Sequence, residues 1–212
     1  MSDAQKRSYE NLYPFYCQKH WQETKTKKID AEVLFGNKYP LVIEIGFGMG
    51  RATAEIAGQN PEINYLGIEV HRPGIGRLLW EIDKKSLKNL RIVEGDAVEI
   101  LEEAINDRSV SAFHVFFPDP WPKKRHHKRR LITRPFTDLL VSKLLPGGYI
   151  YMVTDWEDYG NWALAELSAT PALKNKFSGF AEAMSWRPKT EFEQKGLKKQ
   201  HEIKELFFMK TE

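Results

Sequence analysis

The amino-acid sequence predicts an α/β fold: a doubly wound, mostly parallel sheet with helices on both faces and an antiparallel strand at its C-terminal edge. Three observations lead there. Short apolar runs alternate with longer stretches of helical character from Tyr39 onward, at the rhythm of strand–helix units. The first apolar run passes directly into a cluster of glycines, as a buried strand does where it turns into a helix. The tail HEIKELFFMK sets Ile203, Leu206 and Phe208 for a last strand at the sheet edge.

The elements follow in order. Leu41–Ile45 (LVIEI) reads as a buried strand, then a helix from Gly50 to about Gln59. Asn64–Val70 is the second strand, followed by a helix from about Pro73 to Ser86. Leu90–Glu94 is the third, with a short helix near Ala97–Asn106, and Ala112–Phe117 the fourth. The prolines of FPDPWP cannot continue a central strand, so a loop begins at Pro118. Leu131–Leu145 reads as helical, stopped by Pro-Gly-Gly at 146–148, and Tyr149–Thr154 is the fifth strand. A helix rich in Trp, Ala and Leu runs from about Trp156 to Ala169, with Trp156, Trp162 and Leu164 expected in the core. Residues 1–28 are polar and aromatic without a sustained period. They read as a basic, partly ordered arm ahead of a single domain over 29–212.

Hydrophobic residues at 42% and aromatics at 12% exclude disorder along most of the chain. No apolar run reaches the length of a membrane span, and MSDAQKRSYE lacks the apolar stretch of a signal peptide. The single cysteine, Cys17, excludes an internal disulfide and a cysteine-rich zinc site, so a cytoplasmic protein without a metal is expected. Net charge is +3, but its distribution is uneven. Lys123–Arg130 (KKRHHKRR) holds six cations and no acid; residues 1–28 and 187–199 carry +3 each, and the remainder sums to −9. An acidic body with basic strips suits an enzyme that binds a polyanion.

In such sheets ligands bind at the carboxyl ends of strands, near the switch in strand order. The first strand runs into Glu44-Ile-Gly46-Phe-Gly48-Met-Gly50, whose third glycine falls one residue early for the G-x-G-x-x-G of dinucleotide enzymes. Glu44 is awkward beside a pyrophosphate and suits a cationic cofactor; S-adenosylmethionine carries a sulfonium and an ammonium group and no phosphate. Glu69, ending the second strand, suits the two ribose hydroxyls. Asp96, in Gly95-Asp96-Ala97, suits the adenine amino group and equally reads as a helix N-cap. Three acids closing three successive strands form the constellation of a Rossmann-like class I methyltransferase. No G-x-x-x-x-G-K-[ST] occurs, so a P-loop hydrolase is not supported.

The fourth strand delivers Asp119, stiffened by flanking prolines, to the same edge. Trp121 follows, free either to stack on a base or to cover an apolar edge. Lys124, Arg125, His126, His127, Lys128, Arg129 and Arg130 then read as a track for RNA. Asp155, just past the fifth strand, reads as a helix N-cap or as a contact to base or ribose.

On ExGxGxG at 44–50, the acid at 69, GDA at 95–97, FPDPWPKKRHHKRR at 117–130 and Thr190-Glu191-Phe192-Glu193 followed by Lys195-Gly196, the chain resembles the bacterial tRNA guanine-N7 methyltransferase family. The likeness runs from about Tyr39 to the C-terminus. It implies transfer of a methyl group from S-adenosyl-L-methionine to N7 of a tRNA guanine, guanine 46 of the variable loop. It implies cofactor contacts from Glu44, Gly46, Gly48, Gly50, Glu69, Asp96, Ala97 and Asp119, with Asp119 also catalytic. Substrate contacts are implied for Lys123, Asp155, Thr190, Phe192 and Glu193. Phe192 stands where the family carries a tyrosine-type aromatic, and brings no hydroxyl.

Guanine N7 already offers a lone pair, so the reaction needs alignment more than a strong base. That accords with the lack of an obvious nucleophilic or metal constellation; His126-His127 has no H-x-x-x-H spacing. A carboxylate accepting from guanine N1–H and the 2-amino group would select guanine and stabilise the charge the base acquires. Asp119 and Glu193 both qualify, and Asp119 could instead hold the methionine moiety. Arg187, Lys189 and Lys195 flank the late motif within reach of RNA phosphates. Two other readings stand beside this one: an NAD(P)-dependent oxidoreductase using the glycine loop and Glu69, and a non-catalytic RNA-binding module on a methyltransferase fold. A monomer and a homodimer are both compatible with the sequence.

Overall fold

The computed structural model of the protein describes residues 1–18, 28–190, 193, 196–197 and 201–212. In chain order the elements are α1 (Asp3–Tyr16), α2 (Ala31–Phe35), β1 (Leu41–Ile45), α3 (Arg51–Gln59), β2 (Asn64–Glu69), α4 (Arg72–Lys85) and β3 (Leu90–Glu94). There follow α5 (Ala97–Ala104), β4 (Val110–Phe116), a 3₁₀ segment (Lys124–Arg129), α6 (Arg134–Lys143), β5 (Leu144–Thr154), α7 (Glu157–Ala169), β6 (Leu173–Asn175) and β7 (Lys204–Lys210).

The strands form one seven-stranded sheet in the order β3-β2-β1-β4-β5-β7-β6. β1 to β5 run parallel, Ile43 lying between Leu66 of β2 and Phe113 of β4. β7 pairs antiparallel with β5, Met152 opposite Leu206, and carries β6 on its outer edge. The order reverses between β1 and β4, which puts the ligand crevice at the carboxyl ends of those strands. β1 is buried along its whole length. Its alternate residues serve different layers: Leu41, Ile43 and Ile45 pack with Phe113, Val115 and Met152, while Val42 packs with Ile75, Leu78 and Ile92. Glu44 shares the Val42 face, so a carboxylate points into an apolar layer. Trp156, Trp162 and Leu164 pack against the core.

The structure departs from expectation in four places. The N-terminal arm contains a fourteen-residue helix, α1, started by a capping box in which Ser2 and Gln5 satisfy each other's backbone N–H groups. It docks on α4, where a Cβ at Gly76 would stand 2.5 Å from the Gln5 carbonyl oxygen. The Tyr9 hydroxyl donates to Glu94 at 2.5 Å. α6 begins at Arg134 instead of Leu131, because Pro135 occupies its first turn, and ends at Lys143 because Pro146 forces the residue before it out of the helical region. Leu144–Gly148 consequently joins β5, with a register shift against Val110 and Ala112 of β4. β4 itself starts two residues early, at Val110, and the three-residue β6 was not foreseen.

Candidate active site

The loop between β1 and α3 is a run of left-handed glycines: φ is +73° at Gly46, +56° at Gly48 and +69° at Gly50. Side chains are strained in that region, so the alternate glycines are what let the backbone curl around a ligand. α4 supports the loop from behind, and a Cβ at Gly74 would stand 1.9 Å from the Gly48 carbonyl oxygen. Glu69 pins the loop to the end of β2. One oxygen accepts from Gly48 N–H at 2.9 Å, and the other accepts from Val70 and His71 N–H at 2.8 and 2.9 Å.

Above this loop lies a cavity of about 700 Å³. Glu44, Gly46, Gly48, Gly50, Glu69, Asp96, Ala97, Asp119, Arg129 and Thr190 all reach it, which gathers every predicted cofactor residue at one place. Asp96 fulfils the N-cap reading: one oxygen accepts from Val98 and Glu99 N–H at 2.9 and 3.2 Å, leaving the other free among the described residues. Val70 and Leu131 add apolar wall that the sequence reading missed. Val70 could have been found, since it directly follows the strand-end acid; in the structure it stays 64% exposed.

Glu44 is the unusual group. It is 3% exposed and forms no salt bridge with a described cation. Burial pushes its carboxyl up to about 7; the Thr53 hydroxyl works against this without closing a hydrogen bond, and the neighbouring Glu69 charge adds to it. Its ladder partner in β4, His114, brings no positive charge, because burial pushes that imidazole down to about 3.

On the substrate side, Asp119 is exposed at the cavity rim, in a loop whose flanking residues Phe117 and Trp121 both have left-handed backbone, φ +52° and +45°. Trp121 lines the cavity, and the Arg129 guanidinium lies over its ring at 5.0 Å. Lys123, Lys124, Arg125, Lys128 and Arg129 are exposed, and His126 and His127 are half-buried.

Several sequence expectations need correction or fall elsewhere. Arg130 is buried, bonded to Pro120 and Asp158, and so cannot belong to an RNA track. Arg187 is not a phosphate contact either: its guanidinium donates to Tyr151 at 3.0 Å, to Glu193 at 2.5 Å and to Glu205 at 2.6 Å. Burial opposes its charge, and the two carboxylates outweigh burial and hold it protonated. Glu193 does not line the cavity, and both of its oxygens accept from Arg187. Asp155 does not line the cavity; it faces Gly196 and lies 3.2 Å from the His201 ring. Lys123 also stands outside it, and Phe192 and Lys195 lie outside the described residues. Among the described residues no cluster of His, Cys, Asp or Glu is placed to hold a metal, and no helix is long and apolar enough to cross a membrane.

A glycine-lined cavity at the switch point of a β3-β2-β1-β4-β5-β7-β6 sheet, edged by one acid from each of three adjoining strands, defines a class I methyltransferase. The fold matches the 16S rRNA methyltransferase KamB with a TM-score of 0.63 at 14% identity, over 87% of this chain and 95% of that one. It matches a SAM-dependent O-methyltransferase from Thermotoga maritima with a TM-score of 0.54 at 17% identity, over 90% of this chain and 69% of that one. Residues 38–206 match a family model described as "Putative methyltransferase". The tRNA (guanine-N(7)-)-methyltransferase of Nitrosospira multiformis is 46% identical over all of this chain and 91% of its own length. That of Treponema pallidum is 56% identical over 81% of this chain and 68% of its own. The chain is an enzyme that belongs to the tRNA (guanine-N(7)-)-methyltransferase family.

Proposed function

We propose that the enzyme transfers the methyl group of S-adenosyl-L-methionine to N7 of guanine 46 in the variable loop of tRNA. The observation that carries the cofactor assignment is Glu44, a buried carboxylate at the cavity floor with no described cation beside it. A ligand bearing positive charge and no phosphate supplies what that site lacks. The cavity, at about 700 Å³, also falls within the roughly 300–1,000 Å³ usual for small-molecule sites. Glu44, the glycine loop, Glu69 and Asp96 with Ala97 would hold the cofactor, which when bound supplies a methyl group made electrophilic by its sulfonium.

Asp119 is the residue assigned to the base. A carboxylate at the rim accepts from guanine N1–H and the 2-amino group, rejecting adenine, which lacks that donor pair. It also stabilises the positive charge that N7 alkylation leaves on the ring. The pairing of Glu193 with Arg187 supports Asp119 over Glu193 as the reader. Guanine N7 needs no deprotonation, so the chain's task is alignment, worth roughly 7–11 kcal/mol where two reactants are held in line. The exposed Lys123, Lys124, Arg125, Lys128 and Arg129 face solvent for phosphates, and Thr190, which also lines the cavity, is assigned to the substrate.

The test is incubation with methyl-labelled S-adenosylmethionine and unmodified tRNA, followed by nucleoside analysis. Label is expected in 7-methylguanosine and is expected to vanish from a transcript carrying adenine at position 46. Label in any other nucleoside, or undiminished label on the altered transcript, would contradict the assignment.

A further inference from the structure

We infer that Arg130 is the positioning residue of the Asp119 loop, fixing the backbone beside the catalytic carboxylate instead of contacting RNA. The inference rests on the assignment of Asp119 made above. Arg130 ends the basic block, yet its side chain is wholly buried, unlike the exposed Lys123, Lys124, Arg125, Lys128 and Arg129. Its Nε donates to the Pro120 carbonyl at 2.9 Å and its Nη2 donates to Asp158 of α7. The rings of Tyr159 and Trp162 lie 5.1 and 5.2 Å from the guanidinium carbon. Nη1 is buried with no acceptor among the described residues. A cation withdrawn from water this far is costly, and a side chain meant for phosphates would gain nothing from it.

What Arg130 holds explains the burial. The loop from Phe117 to Trp121 contains two non-glycine residues with left-handed backbone, at φ +52° and +45°, and Asp119 lies between them. Such strain persists only where the surroundings over-determine it. Upstream, the Phe117 N–H donates to Val153 at 2.7 Å; downstream, the attachment is Arg130 to Pro120. The next residues are fastened to the same helix, Ile132 exchanging hydrogen bonds with the Tyr159 hydroxyl and the Trp162 indole. Asp119 has no hydrogen-bond partner among the described residues, so its place is set by this backbone alone.

Arg130→Lys separates the two roles. Lysine keeps the charge that a phosphate contact uses, but a single ammonium cannot reproduce the planar fork between Pro120 and Asp158. A displacement near 1 Å costs on the order of 100-fold in rate, so kcat should fall at least about tenfold. The KM for tRNA should stay within about twofold, and the salt dependence of tRNA binding should keep its slope. Asp158→Ala, whose carboxyl is mostly in solvent, should lower kcat several-fold with the same unchanged KM. A folded Arg130→Lys enzyme with wild-type kcat overturns the inference, as does loss of tRNA affinity with kcat kept. If Arg130→Lys fails to fold, unchanged kcat in Asp158→Ala overturns it. Asp119→Ala measured alongside separates the failures. Wild-type turnover there removes the role of Asp119 itself, whereas its loss with Arg130→Lys intact removes only the role of Arg130.

Discussion

Replacing Glu44 by glutamine should make the unliganded enzyme more stable and the cofactor site useless. The folded protein holds the Glu44 carboxyl near 7, against 4.5 for the exposed group. Between those values the folded state keeps a proton that the unfolded state releases. Stability contributed by that proton is complete below about pH 4.5 and is lost as pH rises through about 7. At about 1.4 kcal/mol for each tenfold change in acidity, the loss is about 3 kcal/mol. Glutamine copies the protonated carboxyl in shape and carries no charge at any pH. Thermal unfolding of the two apo proteins from pH 4 to 9 should therefore coincide at the acid end, separate between about pH 4.5 and 7, and keep a constant gap above that. With roughly 2–4 °C per kcal/mol for a chain of this size, the variant should melt about 6–12 °C higher at pH 8. S-adenosylmethionine should close that gap by stabilising only the wild type, with an affinity that rises through pH 7. A melting difference independent of pH, or none at all, would refute Glu44 as an uncompensated buried acid.

Other perturbations follow from neighbouring contacts. Gly74→Ala should weaken cofactor binding more than about tenfold by calorimetry while sparing tRNA binding, because its Cβ would stand 1.9 Å from the Gly48 carbonyl oxygen. Unaltered affinity would mean the loop is held elsewhere. Removing Lys124, Arg125 and Lys128 together should flatten the salt dependence of tRNA binding by about 2–3, at roughly 0.7–0.9 per phosphate contact. Arg187→Met should lower the chemical-denaturation midpoint by an amount equivalent to about 3–5 kcal/mol, since it leaves Glu193 and Glu205 buried without their cation. An unchanged midpoint would show that the pair is solvated.

The sheet was largely legible because its signals are local. LVIEI and LRIVE are short, rich in β-branched residues and bounded by turn residues, which reads as strands, and the strand-end acids are placed by backbone alone, so Glu44, Glu69 and Asp96 converge without further information. α1 was legible in principle: Tyr9, Tyr13 and Cys17 recur at four-residue spacing behind the Ser2–Gln5 cap, and all three pack inward. Arg130 and Arg187 were not. Charge in a sequence does not say whether a side chain turns in or out: Asp158 lies 28 residues from Arg130, and Arg187 is held inward by Glu205, 18 residues away, together with the nearer Glu193. The same distance effect hid Asp155, whose carboxyl is met by His201 from the far end of the chain.

The claim that N7 is the accepting atom can be tested with one atom changed. A tRNA carrying 7-deazaguanosine at position 46 keeps the N1–H and 2-amino edge for Asp119 and replaces N7 by a carbon without a lone pair. Such a tRNA should bind as the unmodified one does and take up no methyl label. Continued methylation of that tRNA at that nucleotide would contradict transfer to N7.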